Sequence, residues 1–220
     1  ISQPRSDARE NLITALEIAS AKDHGKPRVP EVCIYFDYEL LRGNRSKKVE
    51  SMHFDAFKSE NYPMLAKAGV TIDYNDSAIH KPGGEKIQLR TRFDTNIAIL
   101  KLFPGIDKQV VDSILSAKGL KAIILETYGS GNAPSSDWFI DSLKAAIRQG
   151  IILVNISQCP GGTVVQGKYE TSKSLAEIGV LSGEDMTMEA GVTKLMILLG
   201  EQGVESTRKN FKQPLAGEIG

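Results

Sequence analysis

From Asn96 to Ser157 the chain repeats one arrangement: a short apolar run, a break, an amphipathic run, a break. "IAILKLFPG" reads as a strand. "DKQVVDSILSAKG" reads as a helix with Asp107 as its N-cap and Gly119 as its stop. "LKAIILETYG" is the next strand, and "SSDWFIDSLKAAIRQG" a helix whose expected core face is Ile140, Leu143 and Ile147. "IILVNISQC" is a third strand. Links this short between strand, helix and strand place successive strands parallel, with right-handed crossovers. The fold class is therefore α/β. The remaining stretches, "YETSKSLAEIG", "TMEAGVTKLMILLGEQ" and "VESTRKNFKQ", read as helices.

The first part of the chain is less regular. "RSDARENLITALEIASAKD" offers Ser6 and Asp7 as capping residues, then Leu12, Ala15, Leu16 and Ala19 at helical spacing, which predicts a helix to about Ala21. "RVPEVCIYFDYEL" predicts a buried strand around Val32 to Phe36. "FDAFKSENYPMLAKAGV" reads as a loop and a short helix. Pro82, Gly83 and Gly84 punctuate the best candidate boundary. The expected organisation is one domain part over 1–81, a linker over 82–95 and a second domain over 96–220.

Composition narrows the function classes. Lys+Arg and Asp+Glu are each 27, so no basic excess marks a duplex nucleic-acid binder. Cys33 and Cys159 lie far apart without metal-like spacing, which reads as two reduced thiols. His24, His53 and His80 form no ligand motif, so no metal is expected. No apolar run approaches the ~20 residues that span a bilayer.

Three segments carry candidate chemistry. "ETYGSGNAPSS" joins a strand to a helix. Gly129 and Gly131 lack the third glycine of a dinucleotide fingerprint, which argues against NAD. The simplest reading is a tight turn with Ser135 or Ser136 as cap, and Asn132 as a residue that could face a ligand. "NISQCPGG" holds the same place one strand later. No histidine pairs with Cys159 there, so a lining cysteine is a better reading than a nucleophile. "ELLRGNRSKKVES" holds Arg42, Arg45, Lys47 and Lys48 within seven residues. Such a run is ordinarily a solvated loop. Placed just past a strand's carboxyl end, it could instead set a lysine against a ligand, and burial there would lower the lysine's pKa. Spacing does not choose between Lys47 and Lys48.

Several segments together, "RSDARENL", "YFDYELLRGNRSKK", "FDAF", "YGSGNAP", "QCPGG" and "DMTMEAGVTKL", resemble bacterial type I (cytoplasmic) L-asparaginases across nearly the whole chain. The resemblance implies the end of a Rossmann-like amino-terminal domain followed by a smaller parallel-sheet α/β domain. It implies hydrolysis of L-asparagine, and more weakly of L-glutamine, through a threonine acyl-enzyme, without cofactor or metal. It implies a cytoplasmic homodimer or homotetramer with no nucleic-acid or membrane partner. In the family pattern Gly-Asn-Arg-x-x-Lys the last residue is catalytic, and here it is Lys48. The threonines, the aspartate and the nucleophile loop of the family lie upstream of Ile1, so this stretch alone is expected to be inactive. Asn132 and Tyr169 occupy positions that complete a neighbouring subunit's site. Some relatives have an asparagine-activated second site built from threonine, arginine and cysteine. The matching residues here are Lys47, Glu126 and Cys159, and an effector response is therefore not expected. Two alternatives stand beside this reading: the ammonia-supplying subunit of a tRNA-dependent amidotransferase, and a non-catalytic ligand-binding module of the same fold.

Overall fold

The structure, a computed structural model, describes residues 7–84, 88–167 and 170–220. The chain divides into two compact units, Ile1–Ile87 and Gln88–Gly220.

In the first unit, α1 (Ala8–Ser20) ends at Ala21 and is followed by the small hairpin β1 (Lys22–Asp23) and β2 (Lys26–Pro27). Next come β3 (Cys33–Phe36), β4 (Glu39–Arg42), a single 3-10 turn over Gly43–Arg45, β5 (Lys47–Lys48), β6 (Phe57–Lys58), β7 (Ala66–Ala68) and β8 (Ile72–Tyr74). A four-stranded sheet runs in the order β3-β4-β7-β8, and β5 pairs separately with β6. Among the described residues every pairing in this unit is antiparallel. β3 and β4 are joined by Asp37 and Tyr38, both at positive φ, the geometry that lets a two-residue turn follow the strands' twist.

Three expectations change here. The strand at Cys33–Phe36 is half-buried, and Val32 is 88% exposed, because only one face of this sheet meets a core. The basic segment does not follow the end of a parallel strand; its first residues are β4, the antiparallel partner of β3. "FDAFKSENYPMLAKAGV" contains strands and turns rather than a helix. On α1 the buried residues are Thr14 and Ile18, while Leu12, Ile13 and Leu16 are exposed. The small core gathers Ile18, Leu40, Leu65, Ala66, Ala78 and Ile79.

The second unit follows the periodic pattern. β9 (Ile97–Lys101), α2 (Lys108–Leu115), β10 (Ala122–Thr127), α3 (Asp137–Arg148), β11 (Ile152–Ser157), α4 (Glu170–Glu177), β12 (Leu181–Ser182) and α5 (Met188–Asn210) succeed one another. The sheet order is β12-β11-β10-β9, and all its pairings are parallel. Alternate residues of the central strands serve opposite layers. Ile123, Leu125 and Leu153 pack with Val111, Phe139 and Leu143 of α2 and α3. Ala122, Ile124, Ile152 and Val154 pack with Leu195, Leu198 and Leu199 of α5. This is the three-layer α/β arrangement the alternation of elements requires. The Asp107 side chain caps α2 by accepting from the Gln109 amide at 2.7 Å. On α3 the fully buried positions are Phe139, Ser142, Leu143 and Ala146, with Ile140 and Ile147 at the margin. The two terminal helical runs are two helices that meet at a kink within α5, where Gly203 is non-helical (φ 74°, ψ 179°).

The tail after α5 is not helical. It returns to the α5 face through a buried ion pair: Lys194 Nζ lies 2.6 Å from Glu218 and also donates to the Gln213 carbonyl at 2.7 Å. Burial alone would raise the Glu218 carboxyl, but the bonds from Lys194, Ala216 and Leu215 outweigh it and hold the group below its ordinary range. No described helix is long and apolar enough to cross a membrane.

Candidate functional site

The sequence marks one segment of the first unit for function and two of the second. In the first unit it is the basic turn, and its two arginines are the most buried cations among the described residues of that unit. Arg42 is 7% exposed and grips Glu31 with two bonds, Nε to Oε2 at 2.5 Å and Nη2 to Oε1 at 3.1 Å. Its Nη2 also donates to the Ala78 carbonyl at 3.1 Å, and its guanidinium lies 4.2 Å from the centre of the Tyr62 ring. The Glu31 bond outweighs desolvation and keeps the guanidinium charged, its pKa moved further up. Arg45 is 2% exposed, donates to the Asn61 carbonyl at 2.9 Å and shares the same ring at 5.2 Å. The reading of the run as solvated therefore fails for both arginines.

The turn backbone is held as closely. The Gly43 amide donates to the Val32 carbonyl at 2.9 Å, and a Cβ on Gly43 would sit 2.9 Å from that same oxygen. Ser46 Oγ donates to the Arg42 carbonyl at 2.6 Å. Beyond this anchor, Lys47 pairs with Lys58 and Lys48 with Phe57. Lys47 is half-buried. Lys48 is exposed, with Nζ 5.8 Å from the Phe57 ring centre, and that ring packs edge-on against Phe36 at 5.3 Å. This unit therefore leaves the Lys48 side chain open to water. Phe57 also lines an open cleft of ≈ 700 Å³ bordered by Asp37, Glu39, Asp55 and Glu60. Carboxylates in that number beside the run oppose a phosphate reading of it.

In the second unit the first marked segment is the turn after β10. Tyr128 and Asn132 close it by exchanging backbone bonds of 2.9 and 2.8 Å. Neutral side chains from the neighbouring strand support it. Thr127 Oγ1 donates to Asn155 Oδ1 at 2.5 Å, and Asn155 Nδ2 donates to the Gly131 carbonyl at 3.1 Å. Ser157 Oγ donates to the Gly129 carbonyl at 2.5 Å and accepts from the Cys159 amide at 3.0 Å. Gly131 has φ +104°, and a Cβ there would meet Val164 at 2.8 Å, so this position requires glycine twice over. Ser136 is the N-cap residue of α3, without a side-chain bond to the helix.

The structure brings Asn132, Glu126 and Cys159 to one end of the parallel sheet. Asn132 is half-buried, its backbone spent on the turn. Glu126 is 8% exposed and faces Lys101 on the next strand at 3.5 Å. Cys159 is exposed and free. Cys33, also free, belongs to the first unit, where burial and then Glu31 push its thiol up to about 11. Tyr169 lies outside the described residues. Among the described residues no group of three or more histidines, cysteines or carboxylates is arranged to hold a metal.

The sequence reading missed Glu31, Tyr62, Asn155 and Ser157. Glu31 and Arg42 flank the two strands of a hairpin, which was a usable signal once Asp37-Tyr38 was seen as its turn. Asn155 and Ser157 sit in an apolar strand where polar residues need a partner.

Two protein-family models match the chain. That of the glutaminase/asparaginase C-terminal domain matches residues 96–211, and that of the asparaginase N-terminal domain matches residues 1–80. L-asparaginase 1 of Escherichia coli is 37% identical over 220 residues, covering 100% of this chain and 63% of the relative. A glutamyl-tRNA(Gln) amidotransferase subunit of Pyrococcus abyssi is 31% identical, with 99% of this chain and 50% of the relative covered. The crystal structure of L-asparaginase I from Vibrio cholerae superposes with a TM-score of 0.89 at 37% identity, covering 100% of this chain and 65% of that one. The chain thus spans less than two thirds of the length of these relatives. With both family models matched along the chain, it belongs to the glutaminase/asparaginase family.

Proposed function

We propose that the intact protein is an amidohydrolase that converts L-asparagine to L-aspartate and ammonia, with L-glutamine as a weaker substrate. The observation that carries this reading is the Gly43-Asn44-Arg45-Ser46-Lys47-Lys48 turn, built on buried arginines, in a chain 37% identical to an L-asparaginase along its whole length. In this reading a threonine hydroxyl from outside the chain attacks the side-chain amide. Lys48 takes or orients its proton, and water hydrolyses the acyl-enzyme. An amine acts as a base only where its charged form is disfavoured. Lys48 is exposed in its own unit, so the rest of the protein and the bound substrate must supply that desolvation.

The reading extends to a cytoplasmic homodimer or homotetramer in which Asn132 and Tyr169 complete a neighbouring subunit's site. Lys47, Glu126 and Cys159 would be the remnant of an effector site. Glu126 supports this: a carboxylate effector would meet a buried carboxylate there, a like-charge contact. Ammonia release from both amides by the intact protein, compared with Lys48→Met, tests the reading. Turnover that falls by orders of magnitude in the variant supports it, and near-normal turnover refutes it.

The amidotransferase reading has the Pyrococcus abyssi relative in its favour and the zero net charge against it. Ammonia release that depends on an added tRNA and a partner protein would select it.

A further inference from the structure

Lys48 itself is lightly held. It lies on a two-residue strand, exposed, with one aromatic ring beneath its amine. Before it, Gly43, Arg45 and Ser46 are each bonded to backbone carbonyls, and Arg42 is held by one buried side chain, Glu31. Glu31 receives both forks of Arg42 and also accepts from the His80 backbone amide. Its side chain is 7% exposed, and that of Arg42 is 9% exposed. Arg42 in turn donates to the Ala78 carbonyl, which also accepts from Tyr62 Oη at 2.8 Å. The Arg42 carbonyl accepts from Ser46, the residue that ends the 3-10 turn and leads into β5.

We propose that Glu31 is a positioning residue for Lys48: through Arg42 it fixes the Gly43–Ser46 turn, and so the place at which the amine leaves the scaffold. This rests on the assignment of Lys48 as the catalytic amine. A guanidinium gripped at two points cannot rotate, whereas one gripped at a single point can. With Glu31 neutral, Arg42 is a buried cation without its counter-charge and moves toward water, taking the Arg42 carbonyl and Ser46 with it. The amine at the end of this lever is then displaced, and displacements on the order of 1 Å are costly to a proton transfer.

The test uses the intact protein. Glu31→Gln keeps the size of the side chain but removes its charge and one of the two acceptors. It is expected to lower kcat per folded site by about tenfold or more, with KM little changed, because misplacement acts on the chemical step. The pH profile of kcat is expected to shift as well. Glu31→Asp, which keeps the charge, recovers part of the loss. If Glu31→Gln accumulates unfolded, Glu31→Asp is read in the same way. Unchanged turnover per folded site and an unchanged pH profile, with lower thermal stability alone, would overturn the proposal and leave Glu31 a purely structural partner. Lys48→Met assayed in parallel separates the two claims. If it is active, the Lys48 assignment fails. If it is inactive while Glu31→Gln matches the parent, only the positioning role fails.

Discussion

The two marked turns solve the same problem with different chemistry. The turn at Gly43–Arg45 is held by a buried ion pair and by two guanidinium groups against one tyrosine ring. The turn at Tyr128–Asn132 is supported by the neutral amide and hydroxyl side chains of Thr127, Asn155 and Ser157. The difference follows from where each sits. The second lies at the end of a parallel sheet covered on both faces, where neutral groups are bonded within reach of neighbouring strands. The first lies in a thin antiparallel layer with a small core, where long side chains must bring distant backbone segments together. A buried charge pair is an adequate clamp there, but it fails severely when one partner is removed.

The largest expected effect probes the charged turn. Arg42→Met leaves Glu31 buried without its partner and should destabilise the first unit by about 4 kcal/mol. Hydrogen exchange at the β3 and β4 amides would show it. Protection equal to the parent would mean the ion pair is dispensable.

Next comes the charged clamp of the second unit, Lys194–Glu218. Glu218→Gln strands Lys194 and should cost about 3 kcal/mol near neutral pH. The folded carboxyl lies below its ordinary range. The contribution of the ion pair is therefore complete above the unfolded value and is lost as pH falls through the folded one. Parent and variant should converge in acid, and a gap that stays constant would contradict this. Trp138, the one tryptophan of the chain, reports on this unit by fluorescence.

The smallest effect probes the neutral turn. Gly131→Ala forces a side chain into a positive-φ position against Val164 and should cost about 2 kcal/mol. Unlike the loss at Glu218, it should not vary with pH between mild acid and neutrality, because the groups a Cβ would meet, Val164 and the Asn155 amide, do not titrate.

How much of this was legible in the sequence divides along the same line. β9, β10 and β11 could be read because their residues are apolar on both faces, and α2 because Asp107 announces its start. The short strands of the first unit could not, since two to four half-exposed residues carry no period. On α1 the spacing of Leu12 and Leu16 pointed to the wrong stripe; the helix presents Thr14 and Ile18 to its small core. The positions of Lys48 and Asn132 were marked by motif, and their surroundings were not. Glu31 is 11 residues from Arg42, and Tyr62 is further along still, so neither pairing leaves a local trace.

Under the proposed function, the scaffold of the first unit presents Lys48 for amide hydrolysis. This is tested most directly by ammonia release from L-asparagine by the intact protein and its Lys48→Met variant, with folding checked by circular dichroism. An active parent and a folded variant slower by orders of magnitude are expected. A folded variant that releases ammonia at close to the parent rate would contradict it.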